Sequence, residues 1–196
     1  LIMKKKTKNI LIILLLFFFL ICGFLLWAYK FTNLLAKDEW TITQYGPRHN
    51  NSSFYPIYNP KQGLIVVDGG WTEDAQYVKD ILNILGNEVD LWILTHPHED
   101  HIGAFNTIYP DLENTDITIN RIITVNMAPP EKCNEVAPWD NLDAYNRFLA
   151  LNIPDLEYVS AGDSFKLFDL EFDILNTYDE NVAHFSKDYV NDGSMM

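Results

Sequence analysis

Cysteine is nearly absent from this 196-residue chain: it has 2, Cys22 inside an apolar run and Cys133 far downstream. They cannot pair, so no disulfide framework holds the fold. Cys133 has no Cys or His neighbour at ligand spacing and reads as a surface or half-buried free thiol. Basic residues are also scarce, 14 Lys and Arg against 27 Asp and Glu, for a formal net charge of -13. A protein that grips nucleic acid by its phosphates needs clustered cations, so this balance argues against strong nucleic-acid binding. The only basic run is Lys4-Lys5-Lys6 with Lys8, and no internal repeat or low-complexity segment occurs outside one apolar stretch.

That stretch, Ile10 to Tyr29, carries no charge. About 20 residues at roughly 1.5 Å rise span the roughly 30 Å hydrocarbon core, so it reads as a transmembrane helix. A cleaved signal peptide would have an apolar region of about 7–15 residues ending in a small-x-small site, whereas the small residues here are Gly23 and Ala28. The four lysines ahead of the run outweigh Lys30 and Lys37 behind it, which predicts a signal anchor with a cytoplasmic N-terminus and an extracytoplasmic domain at the cell membrane. The expected organisation is a basic segment at 1–9, the span at 10–29, a linker at 30–39 and one domain at 40–196.

Along the domain, Trp40–Tyr45, Phe54–Tyr58 and Leu64–Val67 read as strands, with Asn59-Pro60-Lys61-Gln62-Gly63 as the turn between the last two. Thr72 is placed to cap a helix reaching Leu85, whose apolar stripe is Val78, Ile81, Leu82 and Leu85 and which Gly86 stops. Strand Leu91–Thr95 follows, then a His-rich loop, a short helix near Gly103–Ile108, a strand Arg121–Val125, a Pro-rich loop Met127–Pro138, a helix Asn141–Leu151 and short strands from Tyr158 to Leu175. Hairpins mixed with helices around a central apolar strand predict an α/β (α+β) sheet covered by helices.

Three of the 5 histidines fall within His96-Pro97-His98-Glu99-Asp100-His101, directly after the apolar strand. In extended chain, residues two apart share a face, so His96 and His98 can point the same way, with Pro97 stiffening the turn. Asp100 and His101 lie just beyond, able to turn toward a second metal. Imidazole plus carboxylate suits zinc, with iron or manganese as alternatives, because ligand type alone discriminates weakly. The expected cofactor is therefore two divalent metal ions, held by His96, His98, Asp100 and His101, with Asp100 in the reacting centre.

His96-x-His98-x-Asp100-His101 resembles the first metal motif of the metallo-β-lactamase fold hydrolases. Leu64-Ile65-Val66-Val67-Asp68-Gly69-Gly70 is similar to the strand ending in Asp-Gly that precedes the first helix there, and Ser160-Ala161-Gly162-Asp163 to the Gly-Asp hairpin of the competence-protein (ComEC/Rec2-like) branch. Asn191-Asp192-Gly193-Ser194-Met195-Met196 resembles the start of that branch's Asn-x-x-Ser-apolar strand. Ala104 stands where relatives usually carry a second Gly. The resemblance covers roughly Trp40 onward and implies the N-terminal half of an αββα sandwich, with a C-terminal truncation and a bridging aspartate and further histidine expected beyond Met196, so that this fragment is expected to be weakly active or inactive; the opening Leu1-Ile2-Met3 marks Met3 as the natural start.

Outside the motif, Asp68 has two readings: a carboxylate orienting a ligand histidine or a turn aspartate holding a tight loop. His184 is a candidate additional ligand, and His49 a loop residue that could border a substrate cleft. The expected function is a membrane-anchored, outward-facing hydrolase using metal-activated water on a small-molecule or cell-surface substrate, a phosphodiester by similarity to the branch. A tethered binding or assembly module that keeps the fold without turnover is the alternative.

Overall fold

The structure is a computed structural model that describes residues 5–46 and 51–196. Residues 1–4 and 47–50, with Met3, Lys4 and His49 among them, lie outside the described residues. The chain divides into two compact units, Leu1–Asp38 and Glu39–Met196. The first is built on α1 (Lys5–Leu35), in which Ile10–Lys30 is long and apolar enough to cross a membrane.

The second unit is a mixed α/β domain. Its sheet takes the order β1 (Thr41–Ile42), β2 (Phe54–Asn59), β3 (Gly63–Asp68), β5 (Leu91–Leu94), β7 (Ile122–Val125) and β8 (Leu156–Val159). β1 to β3 run antiparallel, while β3, β5, β7 and β8 pair in parallel. The β2–β3 hairpin turns where Asn59 accepts the Lys61 N–H on its side chain (2.9 Å) and the Gln62 N–H on its carbonyl (3.1 Å). Parallel neighbours need crossovers, which α2 (Ala75–Leu85) and α3 (Glu99–Ile108) supply. Two short pairs complete the strands: β4 (Glu88–Val89) with β6 (Thr118–Ile119), and the hairpin of β9 (Ser164–Leu167) with β10 (Leu170–Asp173).

β5 and β7 are buried along their whole length, as continuous apolar runs in a covered parallel sheet should be. Trp92 of β5 is wholly buried. Its ring meets Phe105 of α3 edge-on at 5.1 Å, and Phe105 in turn meets Phe148 of α5 (Asp143–Ala150) at 6.2 Å. α3 is thus wedged between the central strand and α5, which fixes the loop joining β5 to α3.

Several expectations need correcting. Thr72 does not cap α2 through its side chain: residues 72–74 first form a 3₁₀ turn, and the Thr72 hydroxyl donates to Glu99 instead. The helix expected at Gly103 begins at Glu99, so Glu99, Asp100 and His101 occupy its first turn, where the two carboxylates suit the positive end of the helix dipole. Gly103 is needed there, because a Cβ would collide with the backbone nitrogen of Thr72. The expected loop Met127–Pro138 contains α4 (Pro130–Val136), since Pro130 sits at a first-turn position where its missing N–H costs nothing. Two further helices, α6 (Glu180–Phe185) and α7 (Tyr189–Asp192), precede the last residues. Asn191 and Asp192 therefore close a helical turn rather than open a strand, and the segment after them bonds to Thr95, Leu175 and Asn176.

α4 also turns Cys133 inward, where it is 1 % exposed and donates to the Ala128 carbonyl at 3.3 Å, so the thiol is buried and not at the surface. Burial, with nearby Asp140 and Asp188, pushes its pKa up to about 11. Because the thiolate is the reacting form, Cys133 should resist iodoacetamide at pH 8 in the folded protein and react fully once unfolded. Rapid native labelling, located by peptide mass mapping, would contradict this packing.

Candidate metal centre

The His-rich loop leaves the end of the buried strand β5, and its geometry follows from that position. His98 is extended (φ -82°, ψ 154°) and caps α3, so the backbone passes from strand to helix within the motif. The His96 ring lies 4.9 Å from that of His98 and 3.9 Å from that of His101, and Asp100 Oδ2 stands 3.6 Å from His101 Nε2. The four residues of the motif are thus gathered at the mouth of β5. His184 is not with them: it is exposed on α6, its ring against Phe185 at 4.5 Å.

Each imidazole is anchored through one nitrogen at 3.0 Å or less. Asp68, at the end of β3, is 2 % exposed and lies in the left-handed region at φ +56°. Its Oδ2 accepts from His101 Nδ1 at 2.7 Å, and its two oxygens accept from the Thr95 backbone N–H at 2.9 Å and the Thr95 hydroxyl at 2.8 Å. With that hydroxyl proton committed to Asp68, Thr95 Oγ1 accepts from His96 Nδ1 at 3.0 Å. His98 Nε2 donates to Asp140 Oδ2 at 2.8 Å. Asp68 thus bonds both to a histidine of the motif and to Thr95 at the end of the neighbouring strand.

In the neutral form of each ring this proton placement leaves a lone pair on Nε2 of His96, Nδ1 of His98 and Nε2 of His101, the last facing the Ser53 hydroxyl at 3.5 Å and the Asp100 carboxylate. Burial foremost, and then repulsion from His101 and His98, lowers the His96 pKa to about 2, so its ring is neutral at ordinary pH. His101 moves the other way: burial works against its charge, but the hydrogen bond and charge of Asp68, aided by Asp100, outweigh it and raise the pKa. Neutral imidazoles fixed by carboxylate or hydroxyl partners are what divalent-metal ligation requires. The donor chemistry fits. The donors as they stand form a convergent set and not a finished cage, since no group of three His, Cys, Asp or Glu is arranged to hold a metal among the described residues.

His98 and Asp100 open onto a cleft of about 770 Å³ between the segment after β3, α3 and α5. Asp140, Trp71 and Arg147 line it too, and Arg147 pairs with Glu99 across it. Asp140, Thr95 and Arg147 escaped the sequence reading. The run Pro138-Trp139-Asp140-Asn141, a polar turn ahead of a helix, was the one local signal for Asp140.

The sequence model described as "Metallo-beta-lactamase superfamily" matches residues 45–166. Among solved structures, a subclass B3 metallo-beta-lactamase of Bradyrhizobium japonicum is similar at 23% identity and TM-score 0.46 over 72% of this chain and 50% of that one. A metallo-beta-lactamase from Staphylococcus aureus gives 13% identity and TM-score 0.45 over 72% and 35%. The ETHE1 protein of Myxococcus xanthus gives 19% and 0.43 over 70% and 48%. The match thus spans half or less of each of these structures. No curated protein matches.

Proposed function

The chain belongs to the metallo-beta-lactamase superfamily, and from that premise we propose a metal-dependent hydrolase, tethered to a membrane through α1 and facing outward, that cleaves a phosphodiester or related phosphorylated substrate. The observation that carries the reading is that the rings of His98 and His101 both lie within 5 Å of that of His96, each of the three anchored through one nitrogen at 3.0 Å or less. His96 and His98 would hold one divalent ion and Asp100 with His101 a second, zinc being favoured by the donor set. When bound, such ions lower the pKa of water toward neutrality and offset the charge that develops on the attacked group.

The rest falls to the chain's own residues. Asp68 keeps the His101 proton on Nδ1, Thr95 and Asp140 do the same for His96 Nδ1 and His98 Nε2, and the cleft beside His98 and Asp100 admits substrate from one side. The tether reading rests on the uninterrupted apolar helix and on the lysine excess ahead of it. Within the superfamily, the turn at Gly162-Asp163, where Asp163 accepts the Ser160 N–H at 2.8 Å, favours the competence-protein branch and with it a phosphorylated substrate over a β-lactam.

A tethered, non-catalytic binding module is the second reading, favoured by the bonds that His98 and His101 already make to carboxylates. Metal analysis of the full chain in detergent, with hydrolysis of bis(p-nitrophenyl) phosphate, separates the two. Retained metal with measurable turnover is expected; no retained metal and no turnover would leave the module. A reporter fused after Trp40 tests orientation, and activity confined to the cytoplasm would overturn it.

A further inference from the structure

We propose that Arg147 is a specificity residue that receives one anionic oxygen of the substrate, so that the cleft selects a compact, singly phosphorylated group over a polyanionic strand. This rests on the hydrolase reading for its substrate, although the binding itself does not depend on turnover.

Arg147 is the only Lys or Arg among the described residues lining the cleft, which it shares with His98 and Asp100. Its side chain is 48% exposed. The guanidinium is held in place from below: Nη2 donates to Glu99 Oε2 and, at 3.4 Å, to Thr72 Oγ1, while the Thr72 hydroxyl donates to the other Glu99 oxygen. One carboxylate and one hydroxyl, from the first turn of α3 and the segment after β3, thus fix the fork of an arginine on α5. All the recorded bonds of Arg147 use Nη2. Nε and Nη1 have no protein partner among the described residues, and a guanidinium offers five N–H donors in a rigid plane suited to phosphate. An arginine already immobilised loses little entropy on taking a ligand.

The remaining charge of the cleft sets the size of that ligand. Glu73, Glu99, Asp100, Asp140 and Asp143 also line it, so a second or third phosphate would find carboxylates and, among the described residues, no further cation. One phosphate-like group, anchored at Arg147 and reaching toward His98 and Asp100, is what the lining admits.

The test measures inorganic phosphate binding to the full chain in detergent by equilibrium dialysis with a chelator present. Arg147→Gln should weaken binding about tenfold, the scale of one charge-assisted bidentate contact. Glu99→Gln keeps an acceptor for Thr72 and Arg147 but removes the competing negative charge, so affinity should hold or rise. An ion pair with only a structural role would be broken by both changes, moving both in the same direction. If Arg147→Gln fails to fold, Arg147→Lys keeps the charge without the planar fork and should give an intermediate loss. Unchanged affinity in Arg147→Gln, or equal losses in Arg147→Gln and Glu99→Gln, would overturn the proposal. A wild-type chain that binds phosphate through Arg147 yet hydrolyses nothing would overturn the hydrolase reading alone.

Discussion

Replacing His96 with alanine in the full chain should lower hydrolysis of bis(p-nitrophenyl) phosphate by about 10³-fold or more, the several kcal/mol that a lost metal ligand removes from transition-state stabilisation. His96 is 6 % exposed and its pKa is pushed down to about 2, so it offers an uncharged nitrogen across the whole working pH range. His98→Ala should act similarly, and with less strain on the fold, since His98 is only half-buried. Metal content and a thermal melt measured beside the rate separate loss of metal from loss of structure. A folded His96→Ala chain that keeps its metal and its rate would refute the assignment of His96 as a ligand.

Asp68 should show two separable effects. Asp68→Ala strips the acceptor from the Thr95 N–H, the Thr95 hydroxyl and His101 Nδ1, and orphaned buried donors of this kind destabilise by about 2–4 kcal/mol together. The position also lies at φ +56°, which aspartate and asparagine tolerate better than alanine. Asp68→Asn should therefore retain most of the stability, its amide oxygen still meeting the Thr95 N–H. Its amide nitrogen would face His101 Nδ1 and drive the imidazole proton to Nε2, occupying the lone pair that a metal needs. Metal affinity should fall about 10–100-fold, as for other partners of metal-bound histidines. Urea unfolding and competitive metal titration give the two readouts. Wild-type metal affinity in Asp68→Asn would mean that Asp68 only ties the strand end.

Local pattern alone was sufficient wherever one short segment carried the whole signal. The run ending in Leu94 is apolar on both faces and became the buried central strand β5, and the stripe Val78, Ile81, Leu82 became the inward face of α2. His96, His98, Asp100 and His101 could be read as one group because a strand passing into a helix within six residues leaves their side chains no room to diverge. Boundaries were less legible, as at α4, where two prolines look like a loop until the second is seen to start a helix.

By itself the sequence determined the apolar N-terminal helix, the α/β character of the domain and the identity of the motif's donors, because periodicity, length and spacing act over a few residues. Only the tertiary structure decided what holds those donors. Asp68 reaches His101 because the parallel pairing of β3 with β5 sets their ends side by side, and Asp140 and Arg147 reach His98 and Glu99 because Trp92, Phe105 and Phe148 pack α5 against α3. These partners lie 33 to 48 residues apart in the chain, a separation that no local periodicity spans and that sheet register and core packing close.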